Sequence, residues 1–181
     1  MITLVNSEQI LETPRLILEP LMPSHASLVY EQLLDDKLYK FIPNNPPESL
    51  SYLEERFTFL SSRLSPDQEE AWLNWVVKLK EGGKYVGILE SSVNKNRTAS
   101  IAYIIFSDFW KKGYAKEGCK RILESLIADY EVKSITSEID TRNIASIKLI
   151  ESLGFQYMSM KNNADFFKRS ASDEYLYELR V

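Results

Sequence analysis

Residues 99–130 read ASIAYIIFSDFWKKGYAKEGCKRILESLIADY, and this stretch decides the fold. Ile101 to Phe106 is an unbroken apolar run of strand length, which predicts a central strand covered on both faces. Ala115, Cys119, Ile122, Leu123, Leu126, Ile127 and Tyr130 then recur at helical spacing, while Lys116, Lys120, Arg121 and Glu124 hold the opposite side. Between strand and helix lie Trp110, Lys111, Lys112, Gly113, Tyr114 and Ala115. Gly113 permits a tight turn, and the small Ala115 lets a ligand approach closely. A turn that leads straight into a helix leaves backbone N–H groups free and adds the positive end of the helix dipole, which suits an anion such as phosphate. Taken alone, the turn reads equally well as an ordinary strand-to-helix connection.

A second segment changes that balance. Asp140-Thr-Arg-Asn143-Ile-Ala-Ser146-Ile-Lys-Leu-Ile150-Glu-Ser-Leu-Gly154-Phe155 follows another strand, Ser134 to Ile139, and reads as a short helix ended by Gly-Phe. The two segments together resemble the GNAT superfamily of acetyl-CoA-dependent N-acetyltransferases. Thr13-Pro-Arg-Leu-Ile-Leu18 and the Trp-x-x-Gly-Tyr-Ala-x-Glu turn look more narrowly like its RimJ/RimL-type branch. The resemblance covers nearly all of the chain after about residue 12, and rests on the order and spacing of the motifs.

The resemblance implies an α/β (α+β) fold with a mixed, mostly antiparallel central sheet of about seven strands and about four flanking helices, whose two parallel central strands splay apart. It also implies the coenzyme contacts. The backbone of Lys111, Lys112, Gly113, Tyr114, Ala115 and Lys116 cradles the pyrophosphate of acetyl-CoA. The backbone of Ile104, Ile105 and Phe106 pairs with the pantetheine arm, and Asn143 hydrogen-bonds to the same arm. Many members place a tyrosine seven residues after that asparagine, to protonate the leaving thiolate; here the position is Ile150. The branch is thought to use a serine three residues after the asparagine, which is Ser146, a residue that also reads as a local cap. An acidic residue about twenty positions further on serves the branch as general base, and Asp165 falls there, within the polar stretch 161–173 that reads as a solvated loop. Lys111 stands where the branch usually has glycine.

The rest of the chain agrees with a single catalytic domain over residues 13–181 behind a leader of residues 1–12. The formal net charge of -4 gives no reason to expect nucleic-acid binding, one cysteine excludes an internal disulfide, and a single histidine offers no recognisable metal site. No apolar run approaches the roughly 20 residues that cross a bilayer, and the expected location is cytoplasmic, as a monomer or homodimer. Arg15 to Leu21 alternates as a strand, and Ser24 to Asp35 reads as a helix capped by Ser24, with His25 on its surface. A loop at Phe41 to Pro47 carries three prolines and precedes a helix over Ser49 to Leu64. In the family these helices and that loop wall the acceptor site. Ala71 to Lys80 and Lys84 to Val93 form a hairpin around Gly82-Gly83, and a last pair of strands is expected at Phe155 to Met160 and Glu174 to Val181. Glu90, on the second arm of the hairpin, reads either as an exposed strand residue or as a carboxylate facing the acceptor cleft.

Cys119 lies on the apolar helix face with no histidine placed to activate it, which reads as a buried thiol rather than a nucleophile. The expected chemistry is direct attack of an amine on acetyl-CoA in a ternary complex, with a protein N-terminus or a small-molecule amine as acceptor. An α-amino group titrates near 8 and a lysine near about 10.4, so a weak base suffices for the former and serves the latter poorly. The alternative is an acyl-CoA-binding regulatory or interaction domain that has lost turnover, for which Ile150 and Lys111 are the support.

Overall fold

The structure, a computed structural model, describes residues 2–181. In chain order the elements are β1 (Leu11–Glu12), β2 (Leu16–Pro20), α1 (Ala26–Leu33), α2 (Leu50–Leu60), β3 (Glu70–Leu79), β4 (Tyr85–Asn94), β5 (Thr98–Ile105), α3 (Tyr114–Tyr130), β6 (Ser134–Asp140), α4 (Ile144–Ser152), β7 (Gln156–Phe167) and β8 (Ser170–Arg180). The strands form one 8-stranded sheet in the order β1-β2-β3-β4-β5-β6-β8-β7 among the described residues. Only β5 and β6 pair in parallel, as their connection through α3 requires. The eighth strand, beyond the expected number, is the two-residue β1.

Alternation along the strands divides the side chains between two faces. Leu89 and Ile101 turn toward α3, where they meet Cys119, Ile122 and Leu126. Ile88, Val76 and Phe106 turn the other way, against Val29 of α1 and Leu53 and Phe57 of α2. On the α3 side the fit is tight at Gly118, where a Cβ would stand 2.6 Å from Leu89 Cδ1, so a larger residue must displace the buried Leu89 side chain.

The β5–β6 ladder is short. It runs from Thr98–Ser134 to Ser100–Thr136 and stops, although β5 continues to Ile105 and β6 to Asp140. The two strands therefore splay, and a gap opens between their C-terminal halves. α3 starts beyond one side of this gap and α4 beyond the other.

Four local expectations are corrected. Pro23 opens a short 3-10 turn over Pro23–His25, so α1 begins at Ala26 and Ser24 does not cap it. His25 is buried: its Nδ1 accepts the Met22 N–H at 3.0 Å, and its Nε2 lies 3.2 Å from a Glu19 carboxylate oxygen. The stretch 161–173 is not a loop, because β7 runs on to Phe167 and meets β8 in a hairpin. Lys168 and Arg169 turn that hairpin with φ of 51° and 64°, the left-handed pair of a type I′ turn. Finally, β5 is covered on one face only: Ala102 is exposed and Ile104 half-buried. An apolar run reads alike whether its second face meets a core or a cleft.

Residues 2–12 are held to the body of the fold. The Ile2 N–H donates to the Gln68 carbonyl, the Val5 N–H to the Tyr130 hydroxyl oxygen, and Arg63 pairs with Glu8.

Candidate active site

The turn before α3 has the geometry an anion site needs. Gly113 takes φ 80° and ψ 5° as the residue preceding the helix, and the first N–H groups of α3 have no carbonyl within the helix to meet. Lys111 also lies in the left-handed region, at φ 60°. That is the physical reason a glycine suits this position, and lysine occupies it here at a conformational cost. The Lys112 ammonium donates to the Asp108 carbonyl at 2.9 Å, while Lys111 and Lys116 are exposed. Tyr114 and Ala115, the first two helical residues, are half-buried.

This turn is braced from the N-terminal strand. The Glu117 carboxylate accepts from the Thr13 hydroxyl at 2.6 Å, the Arg15 backbone N–H at 2.9 Å and Arg15 Nε at 2.6 Å. Arg15 Nη1 donates to the Lys112 carbonyl at 3.1 Å, and the guanidinium lies 4.7 Å from the centre of the Tyr114 ring. Burial pushes the Glu117 carboxyl up, but the hydrogen bonds from Thr13 and Arg15 outweigh it and hold it below its ordinary value.

The gap between β5 and β6 exposes backbone on one wall. The Phe106 N–H donates to Val86 across the β4–β5 ladder. By alternation, the backbone groups of Phe106, Ile104 and Ala102 face β4, and those of Ile105 and Tyr103 face the gap. The Trp110 indole N–H already occupies the Ile105 carbonyl at 2.6 Å. What the gap offers is thus the Ile105 N–H with the N–H and carbonyl of Tyr103; of the three residues expected to line the gap with backbone, only Ile105 does.

The opposite wall is the start of α4. Asn143 caps this helix, its side-chain oxygen accepting the Ser146 N–H at 3.2 Å. Before it, the buried Asp140 carboxylate holds Arg142 and the Ser172 hydroxyl, which fixes the β6–α4 corner. Tyr103 reaches across from β5, and its hydroxyl donates to the Ser146 carbonyl at 3.4 Å. Burial pushes the Tyr103 phenol up, so it stays protonated. Sequence reasoning passed over Tyr103; the available signal was a hydroxyl inside an otherwise apolar strand.

On the other face of β5, two cavities of about 320 and about 290 Å³ meet beneath α2, and Arg56, Leu60 and Glu90 line both. The first continues over Asn74, Ser92, Ser100 and Ala102. The second continues under the proline loop, past Asn44, Pro46 and Pro47 to Ile88 and Ile104. Lys168, at the tip of the β7–β8 hairpin, donates to the Ile42 and Asn44 carbonyls at 3.0 Å each and so ties that loop in place. Glu90 pairs in register with Ala102 and points into this cleft. Burial raises its pKa, and the charge of Arg56 only partly opposes the rise.

The remaining candidates lie elsewhere. Asp165 is exposed on β7, with one carboxylate oxygen accepting the Phe166 N–H, and lines neither cavity. Cys119 is buried against the sheet, and burial pushes its thiol up to about 12, which leaves no thiolate at neutral pH. His25 has both ring nitrogens engaged.

The sequence profile of the acetyltransferase (GNAT) domain matches residues 15–156, which include the turn, the gap and Glu90. The chain belongs to the GNAT family. It is an acyltransferase of that family, and its relatives agree. The N-acetyltransferase YoaA of Bacillus subtilis, itself uncharacterised, is 24% identical over 149 residues, covering 81% of this chain and 82% of that protein. Among solved structures, RimJ of Mycobacterium smegmatis in complex with CoA-disulfide superposes with a TM-score of 0.87 at 16% identity, covering 99% of this chain and 90% of that one. The ribosomal-protein-S5-alanine acetyltransferase of Vibrio fischeri gives 0.82 at 15% identity, with 95% and 96% covered. This GNAT protein therefore shares its fold with RimJ/RimL-type members.

Proposed function

We propose that the protein is a cytoplasmic acetyl-CoA-dependent N-acetyltransferase, with residues 13–181 as one catalytic domain, acting on an unhindered primary amine by direct attack in a ternary complex. Acetyl-CoA supplies the activated acetyl thioester. The observation that carries the reading is the double role of β5: Tyr103 and Ile105 turn free backbone groups into the gap, while Ala102 and Ile104 line the cleft that holds Glu90. A donor lying in the gap and an acceptor lying in the cleft then meet across one strand.

The roles follow from position. The N–H groups of residues 113–116 hold the pyrophosphate, and Lys111, Lys112 and Lys116 add charge around it. Asn143 and the backbone of Tyr103 hold the pantetheine arm, and the Ile105 N–H donates to the oxyanion that develops on the acetyl carbonyl. Glu90 takes the proton from the amine as the C–N bond forms. Burial raises its pKa, which makes it a stronger base than an ordinary carboxylate, and the charge of the nearby Arg56 partly opposes the rise. Ser146 and Tyr103 bring hydroxyls to the thiol end where Ile150 has none. A thiol near about 8.5 is a stronger acid than either hydroxyl, so they stabilise the departing thiolate by hydrogen bonding rather than by complete proton transfer. RimJ/RimL-type kinship and the meeting of the two cavities beneath α2 favour the N-terminus of a polypeptide as acceptor.

The test is thiol release from acetyl-CoA in the presence of short peptides with free N-termini, polyamines and aminoglycosides. Release stimulated by peptides is expected. Release with none of these amines, from a protein that binds acetyl-CoA, would overturn the catalytic reading in favour of an acyl-CoA sensor.

A further inference from the structure

The Thr13-Pro14-Arg15 segment and Glu117 lie 102 residues apart in sequence and make the densest side-chain network around the turn. We propose that Arg15 is a positioning residue for the coenzyme: it fixes the Lys112–Gly113 peptide so that its N–H faces the pyrophosphate. The inference rests on the turn being the coenzyme site.

The argument begins with the peptide plane. In a trans peptide the C=O and N–H point in opposite directions. Arg15 Nη1 holds the Lys112 carbonyl at 3.1 Å, so the Gly113 N–H of the same peptide points away from Arg15, toward the open side of the turn. Gly113, on one side of this peptide, is left-handed at φ 80° and, lacking a side chain, can rotate. Without the guanidinium, nothing else among the described residues hydrogen-bonds to the Lys112 carbonyl, and the peptide is free to flip and present its oxygen to the phosphate instead.

Arg15 is in turn held in place. Its Nε and Nη2 both reach a Glu117 oxygen at 2.6 Å, its backbone N–H binds the other oxygen, and Thr13 adds a fourth donor. A guanidinium locked as a fork loses little freedom when it grips a further acceptor. The pair has a second effect. Glu117 lies in the first turn of α3, where its charge would repel a bound phosphate, and Arg15 neutralises it there.

Steady-state kinetics with two donors tests the proposal: acetyl-CoA, which carries the pyrophosphate, and S-acetylpantetheine, which lacks it. For Arg15→Ala we expect KM for acetyl-CoA to rise about tenfold, the scale of one lost charge-assisted hydrogen bond, with kcat within about twofold. The kcat/KM for S-acetylpantetheine should stay unchanged. Arg15→Lys keeps the charge without the fork and should recover only part of the loss. Equal losses with both donors would make Arg15 merely structural, and an unchanged KM for acetyl-CoA would also overturn the proposal. Gly113→Val separates the layers, since retained affinity for CoA there would remove the coenzyme from the turn altogether. Lost affinity in Gly113→Val beside an unaffected Arg15→Ala would sink only the role of Arg15.

Discussion

Gly87 stands on β4 opposite Ile105, and a Cβ built there would lie 2.3 Å from the Ile104 carbonyl oxygen and 2.8 Å from Ile105 Cδ1. An ordinary C···O contact is about 3.3 Å, so Gly87→Ala demands a movement of about 1 Å. The obstacle is backbone, not the end of a flexible side chain. The strand end itself must therefore shift, and the Phe106 N–H bond to Val86, now 2.9 Å, stretches with it. Overpacking of this kind costs about 1–3 kcal/mol. For a chain of this length each kcal/mol lowers the unfolding midpoint by about 2–4 °C, so a drop of about 2–12 °C is expected. The same shift displaces the Ile105 N–H, and a misplacement of about 1 Å is able to cost on the order of 100-fold in rate. Differential scanning fluorimetry and acetyl-CoA kinetics on the one variant read both effects. A midpoint within about 1 °C of the parent, together with unchanged kinetics, would refute the claim that the close β4–β5 approach sets the geometry of the gap.

Other outcomes follow from single side chains. Glu90→Gln should abolish most turnover at neutral pH while leaving CoA affinity intact. Because burial raises the Glu90 pKa, the carboxyl favours folding when protonated, and that contribution is lost as pH rises through the raised value. The glutamine variant should thus be the more stable protein at pH 8, with the advantage gone below the ordinary value of 4.5; melts across that range check the sign. Lys111→Gly relieves a left-handed lysine and should raise the midpoint by about 2–4 °C, a gain of about 1 kcal/mol. Ser146→Ala with Tyr103→Phe should lower kcat further than either change alone, whereas a double variant no slower than the parent would leave both hydroxyls in packing roles.

The parts of this fold that were legible in the sequence are those with local signatures. The periodicity of α3 and the glycine at 113 are each spelled by neighbouring residues, and the structure has α3 and a left-handed Gly113. The continuation of the β7–β8 hairpin through residues 161–173 was hidden because β7 is an almost wholly exposed edge strand, so its residues lack the alternation that burial on one face imposes. His25 was misread because its partners Met22 and Glu19 come from a turn and a strand that no helical period connects. The environment of Glu90 depends on Arg56 of α2 and Ala102 of β5, brought to it only by the tertiary fold. The bond between Arg15 and Glu117 joins the first long strand to the central helix and has no trace in either segment alone.

The most direct test of the account is the unfolding midpoint of the purified protein with acetyl-CoA, measured against adenosine monophosphate as control. At about 100 times the dissociation constant, a ligand that binds only the folded state adds roughly 2.7 kcal/mol. The turn and gap predict a rise of about 5–10 °C with acetyl-CoA and little with the nucleotide. No shift at saturating acetyl-CoA, or an equal shift with both ligands, would contradict a coenzyme site built from the α3 turn and the β5–β6 gap.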